Sequence, residues 1–283
     1  MFSPPIFRSA LLLGALAMIS PKLASAAEPA RIVFQNGTSV LMTAAEKKGD
    51  RIVIKIADDR FNPGQSFPLT SVSHIYGDKP PATNSAIALL LSGAPGDALK
   101  LLEPLLAEHQ LTASFPGNFW ADAARAAIVA YALEKNSAKV SEIGQQIADS
   151  TPAQGVDPFA ALGKALMLPT TATAEERETA LRDLTTDNLP ADLCAYASFF
   201  RGNLLKALKR DSEALEAYLM VPCLFPSGGM ILNGAAELQA AEIIAPLGKE
   251  RRQEVVALLE SSVRESTGTI LSAEANKRLE SFK

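Results

Sequence analysis

Histidine and cysteine are almost absent from this 283-residue chain, which holds two of each. Zinc sites built from thiolate and imidazole, and cysteine–histidine nucleophilic pairs, need such groups in close clusters. His74 and His109 are far apart in sequence, and each is read as a surface or helix-capping residue. The chain also has no HExxH, GxSxG, phosphate-loop or dinucleotide glycine motif. Ser227-Gly228-Gly229 follows no strand, so it reads as a loop between helices. No cofactor, metal or catalytic residue is assigned.

Positive charge is scarce as well. The formal net charge is −4, with 27 basic residues against 31 acidic ones. That balance disfavours nucleic acid, whose phosphates need a basic surface. No basic run would hold the chain on anionic lipid. Long apolar runs are missing too. The longest early one, Ala10 to Ile19, is about ten residues, roughly half of what crosses a hydrocarbon core.

That short run has another meaning. It comes after Arg8 and leads to Ala24-Ser25-Ala26, the pattern of a secretory signal cleaved after Ala26. Residues 1–26 are therefore set aside as a signal, which implies a periplasmic or secreted protein with no stable membrane insertion after cleavage. Without Arg8 and Lys22, 25 basic residues face 31 acidic ones.

Beyond the signal the chain changes period once. Residues 27–80 are rich in Val, Ile, Thr and Phe and alternate as strands do. Asn36-Gly37 between RIVFQ and TSVLM predicts a hairpin with a type I′ turn, Gly49-Asp50 a second turn, and Asn62-Pro63-Gly64 a third. Four or five strands make a small antiparallel β-domain, read as an SH3-like barrel, too small to be very stable alone and expected to lean on the helical remainder of the chain. GDKPPAT, Gly77 to Thr83, marks the boundary.

Residues 81–283 are dense in Ala and Leu, with Pro or Gly at helix-length intervals. Eleven helices are predicted, from Asn84–Ser92 to Ser272–Phe282, and short connections make neighbours into hairpins. In AYASFFRGNLLKALKRDSEALEAYLMVPCLFP, counting from Ala195, Gly202 is at position 8, Leu205 at 11, Ala214 at 20, Tyr218 at 24 and Pro226 at 32. This segment resembles the tetratricopeptide repeat. Pro222 is expected to stop its second helix a turn early. The hairpin from Trp120, with Tyr131 and Pro152, is a second copy. The resemblance implies a mainly α fold, a solenoid of about five hairpins whose first helices line a concave binding face.

That arrangement carries two expectations. In a hairpin the start of the first helix lies beside the end of the second, which would bring Cys194 and Cys223 together. An oxidising compartment allows them to pair, contributing ~3–4 kcal/mol by restricting the unfolded chain. On the concave face of the best copy, Tyr196, Phe199, Asn203 and Lys206 are spaced to project together, with Arg125 and Glu242 at comparable places in neighbouring hairpins. Aromatic, amide and charged groups along one groove suit a protein or peptide of the cell envelope, held by a non-catalytic adaptor. The alternative is a carrier taking a small molecule or glycan in a pocket where sheet meets helices.

Overall fold

A computed structural model describes residues 28–150, 157–186 and 188–282. The predicted signal and Pro152 lie outside them. The described chain is mainly helical, with a small antiparallel sheet region at its N-terminal end.

Six short strands form that region: β1 (Arg31–Phe34), β2 (Ser39–Leu41), β3 (Ala45–Lys48), β4 (Arg51–Ile54), β5 (Ser66–Pro68) and β6 (Val72–Tyr76). They pair as two three-stranded sheets, β2-β1-β6 and β3-β4-β5. Alternation sends Ile32, Phe34, Val40, Ile52 and Ile54 inward, where Phe34, Phe61 and Phe67 meet ring against ring at 4.7–5.7 Å. The first hairpin departs from the expected turn. Gly37 N–H donates to Phe34 C=O at 2.9 Å and Gly37 alone takes positive φ, so the turn is the bulged form that needs one left-handed residue rather than two.

This sheet unit does lean on its neighbour. Phe115, from the connection after the second helix, is buried in the strand core, with Leu111 and Phe119 packed against it. Ile75 N–H donates to Pro116 C=O at 2.9 Å, so that connection runs alongside β6. Gly117 has φ +73° and a Cβ there would stand 2.8 Å from Ile75 O, so any larger residue would push the two units apart.

Eleven helices come after the sheets: α1 (Pro81–Leu91), α2 (Pro95–His109), α3 (Trp120–Leu133), α4 (Ser137–Ser150), α5 (Phe159–Leu166), α6 (Ala174–Arg182), α7 (Ala191–Ala207), α8 (Asp211–Leu224), α9 (Met230–Ile244), α10 (Arg252–Glu265) and α11 (Ile270–Glu280). They separate into two layers by burial. Ten of the 14 residues of α3 and 12 of the 15 of α9 are buried, against three of 14 in both α4 and α10. The odd-numbered helices α3, α7 and α9 are thus internal, and their even-numbered partners cover them with one apolar stripe each. α1 packs against α3 and also against α9 and α11, so the row of helices curls back on itself.

Small residues make the inner layer possible. At Gly202 of α7 an added Cβ would lie 2.6 Å from the ring of Tyr218 on α8, which is wholly buried. The ring fills the space a side chain would take. α8 itself runs through Pro222 and ends at Leu224, one turn later than expected, because a proline this close to a helix end removes one hydrogen bond and the chain beyond stops at Phe225-Pro226.

The two cysteines are not joined in the structure. Cys194 is buried, its thiol directed at the carbonyls of Thr186 (3.5 Å) and Leu189 (3.8 Å) in the α6–α7 connection, whereas Cys223 is exposed on α8. Bringing both residues to one end of a hairpin does not aim their side chains at one another.

His109 does end α2, as expected of a helix-capping residue, but it is not on the surface. It is 3 % exposed at the end of α2, its ring edge-on to Phe119 at 5.8 Å, and its Nδ1 has no hydrogen-bond partner. Burial lowers its pKa from the ordinary 6.5, with Glu108 opposing the shift weakly.

Two outcomes are expected. Gly202→Ala would gain about 1 kcal/mol of helix propensity yet lose about 1–3 kcal/mol to overpacking against Tyr218. Urea unfolding should show net destabilisation, and a variant as stable as the parent would refute the close approach. As pH falls below the ordinary histidine value of 6.5, the unfolded chain takes up a proton that folded His109 resists, so stability is complete above that pH and drains below it. Melting temperatures should fall more from pH 7.5 to 5.5 in the parent than in His109→Gln; equal slopes would acquit this residue.

Candidate functional site

The N-terminal ends of α1, α3, α5, α7 and α9 converge on one bowl of about 630 Å³. Asn84 and Ile87 come from α1, Asp122 and Arg125 from α3, Phe159 from α5, Asp192 and Tyr196 from α7, and Met230 to Leu232 from α9. Lys79 and the loop Ser227-Gly228-Gly229 complete the rim. Connectivity explains the convergence, because alternate helices of a hairpin row start at the same end.

Arg125 organises the floor. Its Nε and Nη2 donate to Asp157 Oδ2 at 3.2 and 3.0 Å, its Nη1 donates to Asp192 Oδ2 at 3.1 Å, and its guanidinium lies 5.4 Å from the Phe159 ring centre. One side chain thereby ties α3 to α7 and to the head of α5. Burial by itself would lower the guanidinium pKa, but Asp157 and Asp192 outweigh it and hold the group charged. At the rim Lys79 pairs with Asp122 at 2.5 Å, an exposed pair worth about 0–1 kcal/mol.

Tyr196 stands beside this network with its ring against Phe159 at 5.7 Å and stacked with Phe200 at 6.5 Å. Burial, then the nearby charges of Asp122 and Asp192, push its phenol far above the ordinary 10.0. It remains a neutral O–H donor.

The six residues expected along one groove go to three places. Tyr196 and Arg125 do meet, in the bowl. Phe199 is 1 % exposed and packs between Phe200 and Tyr218, while Asn203 Oδ1 accepts from Tyr218 Oη at 2.7 Å. Both belong to the seam between α7 and α8. Lys206 donates to Gln239 Oε1 at 2.8 Å and pairs with Glu242 at 2.5 Å, whose other oxygen takes Arg278 at 2.7 Å. That cluster stitches α7, α9 and α11 together, ten residues or roughly 15 Å along α7 from Tyr196. The predicted stripe is thus divided among three neighbours, with Tyr196 against α5, Phe199 and Asn203 against α8 and Lys206 against α9.

Lys79, Asp122, Asp157, Asp192 and Met230 were missed by sequence reasoning. A signal existed: an aspartate stands at or just before the start of α3, α5 and α7. Each reads alone as a helix-start acid. Asp97 and Asp211 stand likewise in the first turns of α2 and α8, so the order of residues does not single out the three that meet.

A second cleft, open-sided and about 750 Å³, lies where the sheet unit meets α2, lined by Met42, Ala45, Lys47, Lys55, Glu108 and Leu111 among others. Among the described residues no cluster of His, Cys, Asp and Glu is arranged to hold a metal, and no helix is long and apolar enough to cross a membrane. Compared with protein-family models, with curated proteins and with solved structures, the chain matches none.

Arg125→Ala should strand the carboxylate of Asp157, whose side chain is 5 % exposed. The expected loss is about 2–4 kcal/mol in chemical denaturation, below a fully buried pair because the arginine itself is partly solvated. Asp157→Asn in the same chain should restore part of it. No recovery in the double variant would show that the arginine acts through packing alone.

Proposed function

We propose that the chain is a binding protein of the periplasm or cell envelope that holds a segment of a protein partner in the bowl at the α1-α3-α5-α7-α9 end. In this reading the helical part is a tetratricopeptide-like solenoid of about five hairpins, the sheet unit is an SH3-like module, and neither carries out catalysis. The observation that carries it is the bowl itself: an open concavity of about 630 Å³, walled by Ile87, Phe159, Ile231 and Leu232, floored by a braced ion network, and rimmed by Met230, which is 63 % exposed. Apolar walls with a few fixed polar groups are what a recognition pocket needs, and an exposed methionine adapts to a partner's shape. The small-against-aromatic seam of Gly202 and Tyr218 supports the repeat resemblance. Because α1 meets α9, the binding surface is an end-on bowl and not a lengthwise groove.

The test is site-specific photocrosslinking in the native envelope. A benzoylphenylalanine probe at Met230 should capture a protein partner, the adduct should disappear in Tyr196→Ala, and the same probe at exposed Leu224 should capture none. Absence of a Met230 adduct, or one indifferent to Tyr196, would sink the reading. The cleft beside α2 supports the second reading, a carrier for a small molecule or glycan, which predicts ligand protection of Lys47 and Lys55 from acetylation instead.

A further inference from the structure

One helix end in the bowl is unlike its neighbours. α3 has Asp122 in its first turn; at the head of α5, Asp157 Oδ1 accepts the Phe159 N–H at 2.9 Å; in α7, Asp192 Oδ1 accepts the Leu193 N–H at 2.9 Å. α1 opens on Pro80-Pro81, which carry no N–H. α9 has no capping side chain and no acidic residue in its first turn. Leu232 and Asn233 N–H turn back to Gly229 C=O, but among the described residues the N–H groups of Met230 and Ile231 meet no acceptor.

A second, independent feature faces the same space. Three tyrosines are buried. Tyr131 gives its O–H to Glu103 and Tyr218 gives its own to Asn203. Tyr196, 6 % exposed and lining the bowl, has no acceptor among the described residues. The rest of its side chain is buried, but the hydroxyl oxygen is not cut off from solvent and opens on the bowl.

Resting on the reading of the bowl as a binding site, we infer that its ligand presents a carboxylate on an apolar stem, accepted by the Met230 and Ile231 N–H groups and the Tyr196 O–H. The ligand then supplies for α9 the acceptor that Asn118, Asp157 and Asp192 supply at the heads of α3, α5 and α7. Charge sets the limit. Three aspartates against Lys79 and Arg125 leave one formal negative charge, which the positive ends of the helices that start here offset. One added negative charge is accommodated, whereas a dianionic phosphate would face Asp122 and Asp192. Ile87, Phe159 and Leu232 receive the stem.

The experiment titrates the full chain with 4-phenylbutyrate, 4-phenylbutanamide, 4-phenylbutylammonium and phenyl phosphate while monitoring backbone amides by NMR. The carboxylate should shift the Met230 and Ile231 amide protons downfield and saturate, and Tyr196→Phe should weaken it about fivefold, the worth of one hydrogen bond, without disturbing the remaining spectrum. The amide, ammonium and phosphate should bind at least about tenfold more weakly, the usual scale of one charge-assisted contact. A pentapeptide with one glutamate, compared with its glutamine twin, extends the same measurement to a protein-borne carboxylate. Binding of the ammonium or the amide as tight as that of the acid, or no saturable shift at the two amides, overturns the inference. If the Met230 crosslink persists in that event, the binding reading stands and only the carboxylate falls; if the crosslink is lost as well, both fall.

Discussion

Close approach of the inner helices is the constraint on which the structure depends. α3 and α9 are buried on nearly every side, and they can be so only because Ala123, Ala124, Ala126, Ala127 and Ala130 in one, and Gly234, Ala235, Ala236, Ala240 and Ala241 in the other, add little width to the helix. Larger partners fill the gaps that small residues leave. Tyr218 lies over Gly202, and Val140 and Ile128 crowd Gly163, so that a Cβ at either glycine would fall within 3 Å of a neighbouring side chain. Interiors packed at this density respond to single methyl groups.

Burying helices all round has an electrostatic consequence. Their ends carry unpaired N–H and C=O groups that water cannot freely reach. At the starting ends Asp157 and Asp192 accept backbone N–H groups and Arg125 pairs with both carboxylates; towards the other end of α7 and α9, Lys206, Glu242 and Arg278 form a second cluster. Both are built from charges on different inner helices, so they fix the relative height of those helices more than they add stability, since desolvation offsets much of the Coulomb gain.

The joint between the sheet unit and the helices obeys another rule. Six short strands enclose too little apolar surface to be stable alone, and Phe115 supplies what is missing from outside the strands. Gly117 lets that connection lie against Ile75. His109 is buried beside this joint, its ring edge-on to Phe119.

The strand and helix periods, the boundary at Gly77 to Thr83 and the Gly202–Tyr218 pairing were all legible in the order of residues, because each depends on neighbours within about one hairpin. Arg125 and Tyr196 were placed at comparable positions of different hairpins, and only the tertiary fold brings both to the bowl. What the order of residues could not convey was which face of an inner helix stays open. Phe199 and Asn203 are taken up by Tyr218 of the adjoining α8, and Lys206 by Glu242 of α9, so only Tyr196 of that stripe reaches the bowl. Likewise, the cysteines share a hairpin end but point apart. Local spacing determined the elements and their pairing; the meeting of α1 with α9, a contact between chain segments about 150 residues apart, closed the flank and left the bowl, because burial is decided by every surface that arrives and periodicity reports only one.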